Sequence, residues 1–250
     1  MKFSIITATY NRAGTLARAL HSAQSQAYPS KQLIIVDGNS RDNTVAIAKQ
    51  FLTSEDVLIV EDDDGIYDAL NKGVSVATGD IICFLHSDDY YPNSTVLEDV
   101  ASVMEEKSCP VVYGNAEFFD QNDHEKTLRR YKSRPLTVKN LAWGHMPAHP
   151  AIFYRREFFD EIGLFDTSYD IAADYEWLCR LAKRSAEEIY YLDLCLMRMQ
   201  VGGASRFGLR NTYNLNREVY RALKANNIKT NIIMILSKYI FKVWELTRTQ

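Results

Sequence analysis

A chain of 250 residues is long enough for one large domain, or one domain with an appendage, and 46% hydrophobic with 24% charged residues excludes a disordered or low-complexity protein. Four cysteines, Cys83, Cys109, Cys179 and Cys195, form no CxxC pair and three lie in apolar runs, which argues against a zinc site and for a reducing compartment. The net charge of −3 is uneven: from Arg198 to Gln250 ten Lys and Arg stand against two acids, Glu218 and Glu245, so this stretch carries +8 and the remainder −11.

Met1 leads directly into Phe3 to Ala8, an apolar run that reads as a buried strand and is too short for a signal peptide or a membrane span. Asn11 to Gln26 reads as a helix with Leu16, Ala19, Leu20 and Ala23 on one face. Leu33 to Val36 is a second strand, ending in the turn cluster Asp37-Gly38-Asn39-Ser40. Asp42 is placed to cap the next helix, which carries Val45, Ala48 and Leu52. Val57 to Val60 is a third strand, cut off by the acidic run Glu61 to Asp64, and Tyr67 to Ala77 a third helix closed by Gly79. Ile81 to Leu85 is a fourth strand, buried on both faces, and it stops abruptly at His86-Ser87-Asp88-Asp89.

Strands and helices alternating with short connections predict an α/β fold with a mostly parallel sheet covered on both faces. Three of the four strands end in polar or acidic residues at one edge, where such sheets bind ligands. The pair Asp88 and Asp89 offers hard oxygen ligands for a divalent cation carrying a phosphorylated substrate, or equally a solvated turn. Beyond Pro92 the alternation fades. Leu97 to Lys107 reads as a helix and Val111 to Phe119 as a strand; Asp120 to Leu136 is a charged stretch suited to a hairpin or a mobile loop. Asn140 to Pro150, NLAWGHMPAHP, is a turn-rich loop before a short strand at Ala151 to Tyr154. Tyr175 to Lys183 is a helix, Ile189 to Met199 a final strand, and Gly202-Gly203-Ala204-Ser205 either a segment that closes over a ligand or a plain turn.

Five collinear stretches then carry a resemblance: SIITATYNR at Ser4 to Arg12, VDGNSRDNT at Val36 to Thr44, DGIYDALNKGVSVATGD at Asp64 to Asp80, FLHSDDYYP at Phe84 to Pro92 and ADYEWLCRL at Ala173 to Leu181. Together they resemble the family 2 glycosyltransferases, enzymes of the GT-A fold that use nucleotide sugars. The third stretch and HPAIFYRR at His149 to Arg156 resemble the subset that builds bacterial surface polysaccharides on lipid carriers. The chain departs from the family pattern where Thr7 replaces Pro, where Asp37-Gly38-Asn39 replaces Asp-Asp-Gly, where His86 replaces the first acid of an Asp-x-Asp motif, and where Ala173-Asp174 replaces Glu-Asp.

The resemblance implies a GT-A domain over 1–205, its nucleotide-binding half at 1–92 and its acceptor half at 93–205, followed by a basic helical tail at 206–250. It implies inverting transfer of a sugar from a nucleoside-diphosphate donor, UDP-linked before GDP-linked, to a lipid-linked saccharide. Thr7, Thr9, Tyr10 and Asp37 would flank the base, while Arg12, Asp64, Asn71 and Lys72 would meet the phosphates or the sugar. Asp88, helped by Asp89, would hold Mn²⁺ or Mg²⁺, and Asp174 would be the general base, although a residue at a helix start also serves as a cap. Trp143, His149 and Glu176 are candidate acceptor contacts. Two other readings stay open, a nucleotidyltransferase on a similar sheet and a non-catalytic nucleotide- or lipid-binding module. Thr9-Tyr10-Asn11-Arg12-Ala13 lacks the Gly-rich basic loop that the first of these needs.

The tail stretch Asn231 to Glu245 mixes Ile232, Ile233, Ile235, Leu236, Ile240, Phe241, Val243 and Trp244 with Lys238, Lys242 and Glu245. It is too short to cross about 30 Å of hydrocarbon, but fits the interface of an anionic membrane. The expectation is therefore a cytoplasmic protein, peripheral on the inner membrane surface, with no nucleic-acid partner. A helix packed on the domain and a homo-oligomer contact are the competing roles.

Overall fold

The computed structural model describes residues 1–185, 188–201 and 209–246, so the expected glycine segment at 202–205 lies outside the described residues. Four parallel strands form its first half: β1 (Phe3–Thr9), β2 (Lys31–Asp37), β3 (Val57–Val60) and β4 (Ile81–Phe84). Helices α1 (Leu16–Gln24), α2 (Thr44–Phe51) and α3 (Ile66–Ser75) connect them in turn. Alternation along the buried strands divides the core. Ile6, Ile34, Ile82 and Phe84 face one layer, while Phe3, Ile5, Ile81, Cys83 and Leu85 face the other. Leu16, Ala19, Leu20 and Ala23 of α1 are buried, as their spacing predicts.

The second half continues through α4 (Val96–Glu106), β5 (Val111–Asp120), β6 (Asp123–Tyr131), α5 (Val138–Ala142), β7 (Ile152–Arg155), α6 (Glu157–Ile162), α7 (Ala173–Ser185) and β8 (Ile189–Gln200). The strand order is β3-β2-β1-β4-β7-β5-β6, with β8 also paired to β5. β7 enters antiparallel between β4 and β5, which makes the sheet mixed. Of the two options left open for the charged stretch 120–136, the hairpin is what forms: β6 pairs antiparallel with β5. The turn after β4 is tied to β8 by reciprocal Tyr90 and Arg198 backbone hydrogen bonds of 2.9 and 2.8 Å.

Two further helices close the chain, α8 (Leu209–Ala225) and α9 (Ile232–Leu246). α8 falls in the stretch expected as a basic helical tail, and its inward face includes Asn216 and Glu218 beside Val219, Ala222 and Leu223. In α9, Ile235 is fully buried against the domain, whereas Ile232, Ile233 and Leu236 are exposed. Among the described residues no helix is long and apolar enough to cross a membrane.

Close backbone approach fixes how the chain returns from α3 to the sheet. A Cβ on Gly79 would lie 2.7 Å from both the Lys2 carbonyl oxygen and the Ser4 nitrogen, atoms that strand pairing holds in place. Gly79→Ala is therefore expected to cost about 3 kcal/mol, the upper end of an overpacking substitution. Urea unfolding would read this as a lower midpoint at unchanged slope.

Candidate active site

The carboxyl ends of β1, β2 and β4 bring Thr9, Tyr10, Asp37, Asp88 and Asp89 to one edge of the sheet. Asp37 is fully buried, and its carboxylate accepts the Ser40 N–H and the Ser40 hydroxyl, each at 2.7 Å. It thus holds the turn after β2 as well as facing the edge. Asn39 in that turn has φ 63°. Asparagine tolerates this left-handed conformation, so it does here what the glycine of the family pattern would do. Asn11 after β1 does the same with φ 51°, and its side chain accepts the Arg41 N–H at 2.9 Å. Tyr10 is 54% exposed on the rim, and the Thr9 hydroxyl is buried without a partner among the described residues. The Arg12 N–H donates to the Thr44 hydroxyl, which fastens the start of α1 to that of α2.

The two acids after β4 separate in role. Asp88 is half-buried, while Asp89 is buried and accepts the Gln200 N–H at 3.1 Å. Burial first, then the neighbouring Asp88 charge, holds the Asp89 carboxyl well above the ordinary carboxylate range. Asp89 is a strap to β8, whereas the Asp88 carboxylate accepts no hydrogen bond among the described residues. Among the described residues no three His, Cys, Asp or Glu side chains gather as a cage for a metal.

Arg18 of α1 completes this corner, and sequence reasoning did not find it. Its guanidinium donates to the Asp88 carbonyl at 2.8 Å and to the Gln200 side chain at 3.0 Å, and lies over the rings of Tyr90 and Phe119. These hydrogen-bond partners are 70 and 182 residues away in sequence, so no local pattern could announce them.

On the other side of the edge stands Asp174, in the first turn of α7. Its Oδ1 accepts the Tyr175 N–H at 2.8 Å and faces the Tyr67 hydroxyl at 3.0 Å. Tyr67 has one hydrogen and a second acceptor, the Ile171 carbonyl at 2.7 Å, so it ties both groups to α3. The segment before α7 is fixed by a second residue that sequence reasoning missed. Glu218, buried on α8, accepts backbone N–H bonds from Asp170, Ile171 and Ala172 at 3.2, 2.9 and 2.9 Å. The available signal was an acid, one of two, in an otherwise basic tail.

Burial raises the Asp174 carboxyl to about 6, opposed by the Tyr175 and Tyr67 hydrogen bonds and reinforced by the Glu218 charge. An aromatic cluster joins β4 to the second half of the chain: Phe84 stacks on His149 with ring centroids 4.9 Å apart, and Phe165 packs against Phe84 at 5.5 Å. Burial and the neighbouring His86 lower His149 to about 3, so this imidazole is neutral at physiological pH.

The remaining expected contacts are placed differently. Thr7 is buried within β1. Asn71 uses both ends of its amide on the Phe165 backbone, donating to the carbonyl at 2.9 Å and accepting the N–H at 3.0 Å. Lys72 is held by Glu61 at 3.0 Å, Asp68 at 3.1 Å and the Asp62 carbonyl at 2.8 Å. Asp64 is exposed in the loop after β3. Glu176 is buried and bonded to Arg180 and Asn226, so its carboxylate braces α7 against the end of α8. His149 is a buried packing residue whose Nε2 has no partner among the described residues, and Trp143 is 39% exposed in the loop beside α9.

With this geometry in view, residues 4–163 match the model of "Glycosyl transferase family 2". A PGL/p-HBAD biosynthesis glycosyltransferase of Mycobacterium tuberculosis is 31% identical over 239 residues, covering 94% of this chain and 89% of that protein. Glycosyltransferase AglE of Haloferax volcanii is 28% identical over 195 residues, 76% of this chain and 62% of its own. The fold is similar to that of Staphylococcus aureus TarS 1–349 in complex with UDP-GlcNAc (TM-score 0.69, 20% identity, 96% of this chain and 72% of that one). This chain spans 43% of a longer TarS structure. The mannosyltransferase PcManGT from Pyrobaculum calidifontis, in complex with GDP-Man and Mn²⁺, has a TM-score of 0.63 at 17% identity, covering 99% of this chain and 81% of its own.

Glu218→Gln would set an amide N–H group against three backbone donors, and is expected to cost about 3 kcal/mol in urea unfolding through unmet buried hydrogen bonds. Asp174 has a pH signature in the same assay. The folded chain holds its proton more tightly than the unfolded chain, whose carboxyl titrates near 3.8. Its contribution to stability is therefore fully present below pH 3.8 and is lost as pH rises through about 6. Asp174→Asn should remove that fall.

Proposed function

The chain belongs to glycosyltransferase family 2, and on that premise we propose that it transfers a sugar, with inversion, from a nucleoside-diphosphate donor to a saccharide hydroxyl. The observation that carries this reading is the half-buried Asp174 carboxyl, raised to about 6 and held from two sides by Tyr67 and the Glu218-clamped loop. A base poised near operating pH, on a helix start facing the sheet's ligand edge, suits removal of a proton from an attacking hydroxyl.

In this reading the acceptor oxygen gives its proton to Asp174 and bonds to the anomeric carbon as the bond to the diphosphate breaks on the opposite face. Tyr67 keeps the receiving carboxyl oriented throughout. The base of the nucleotide lies between Tyr10 and the turn built on Asp37, with the buried Thr9 hydroxyl as the polar group still wanting a partner. UDP-linked donors come before GDP-linked ones, and neighbours of the same fold bind each.

The donor set at the end of β4 fits a divalent cation that arrives with the substrate. One free carboxylate, Asp88, with phosphates and water filling the other positions, is the usual mode for Mg²⁺ and serves Mn²⁺ alike. When bound, the cation would offset charge on the departing diphosphate. Arg18 and Asp89 hold the Asp88 turn in place for it. The acceptor is read as lipid-linked and the protein as peripheral on the cytoplasmic face of the membrane. Two observations support this: the surplus of +8 from Arg198 to Gln250, and the exposed Ile232, Ile233 and Leu236.

Calorimetric titration with UDP and with GDP, each with and without Mn²⁺, tests the donor half. One nucleotide should bind in a Mn²⁺-dependent manner, and Asp88→Asn should lose that dependence while keeping the fold; unchanged binding in the variant would remove Asp88 from this role. Asp174→Asn should bind the same nucleotide normally but transfer at least about 100-fold more slowly, the usual share of a general base. In the wild type, activity should rise with pH through about 6 as Asp174 loses its proton.

A further inference from the structure

A cavity of about 690 Å³ lies between α8 and α9, and no step of sugar transfer uses it. Tyr213, Asn216 and Tyr220 line one wall, and Ile232 and Leu236 the other. Its size is that of a ligand pocket, roughly 300–1,000 Å³. Its apolar walls are open: Tyr213 is 68% exposed, and Ile232 and Leu236 are about half exposed. Contiguous apolar surface of this kind marks a place that something covers.

Two polar features narrow what that is. Asn216 is buried, and its Nδ2 donates to the Thr212 carbonyl at 2.7 Å and the Tyr239 hydroxyl at 2.8 Å, while its Oδ1 meets no donor among the described residues. A buried acceptor without a donor is costly unless a ligand supplies one. Arg217 is exposed on the lining, and among the described residues it has no hydrogen bond or ion pair. An apolar chain, a hydroxyl donor and an anion are thus wanted in one place.

We propose that this groove takes the apolar chain of an anionic membrane amphiphile, with a phosphate-type headgroup on Arg217 and a hydroxyl donating to Asn216 Oδ1. Charge selects this occupant, since the stretch from Arg198 onward carries +8. A lipid brings chain, hydroxyl and phosphate in one molecule. The groove also sits beside the acceptor half. The Thr230 hydroxyl just before α9 donates to the Ala142 carbonyl at 2.7 Å, next to Trp143, and α8 carries the Glu218 that fixes the segment before Asp174. The assignment rests on the reading of a membrane-borne acceptor and locates where its lipid would be held.

The test is calorimetric titration of the full chain with dodecyl phosphate below its critical micelle concentration, and separately with inorganic phosphate. Dodecyl phosphate should bind saturably at one site, at least tenfold more weakly in Leu236→Arg and in Arg217→Glu, and inorganic phosphate should give no comparable binding. Both side chains are exposed, so the variants should keep the wild-type thermal midpoint. Absent binding, binding that neither variant weakens, or equal binding of inorganic phosphate would overturn the groove. Sedimentation showing a dimer that Leu236→Arg dissociates would overturn it in favour of a second copy. Nucleotide titration of the same samples separates the two readings: nucleotide bound without amphiphile removes the groove alone, and amphiphile bound without nucleotide removes the transfer reading alone.

Discussion

The buried carboxylate of Glu218 is the interaction on which the arrangement of the site depends. Three consecutive backbone N–H groups, those of Asp170, Ile171 and Ala172, point at it, and no strand or helix would otherwise satisfy them. Because these residues lead straight into α7, the bond set decides where that helix starts and so where Asp174 stands in its first turn. Asp174 is then fixed from the opposite side by Tyr67 of α3, an element of the parallel half of the sheet. A residue from the last third of the chain and one from the first third thus determine the position of a single carboxyl group.

That placement has an electrostatic consequence. Burial penalises the Asp174 anion, and the Glu218 charge penalises it further, while the Tyr175 amide and the Tyr67 hydroxyl favour it. The balance leaves the carboxyl at about 6. A carboxylate bonded by more donors would be too weak a base at neutral pH, and one with none would stay protonated. Asp89 shows the other outcome: buried beside Asp88, with one backbone donor, it is held well above the carboxylate range and serves as a strap.

Much of the first half of the fold was legible because both signals there are local. Continuous apolar runs gave β1, β2 and β4, and the 3.6-residue period gave α1 with its four buried positions. The edge bearing Asp37 and Asp88 followed from where those runs stop. In the second half the separate elements were legible, the short strand at 151–154 among them, but not their order in the sheet, which distant partners set. β7 is four residues long and finds its place only by pairing with β4 and β5, and α8 turns Asn216 and Glu218 inward. Arg18 is the extreme case, an ordinary helix residue until Asp88 and Gln200 are brought beside it.

Several of the expected contact residues are already engaged inside the fold. Lys72 and Asn71 have the chemistry of phosphate contacts, but Glu61, Asp68 and the Phe165 backbone reach them first. Glu176 likewise sits two residues from Asp174, which on a helix turns it away from the same face, into Arg180 and Asn226. Donor and acceptor capacity is finite, and a group whose capacity is met inside the fold has little left for a ligand. By that measure the groups with capacity to spare include the Asp88 carboxylate, the Thr9 hydroxyl and the Asn216 carbonyl oxygen. The first two lie at the carboxyl edge of the sheet, and the third belongs to a residue that lines the groove between α8 and α9.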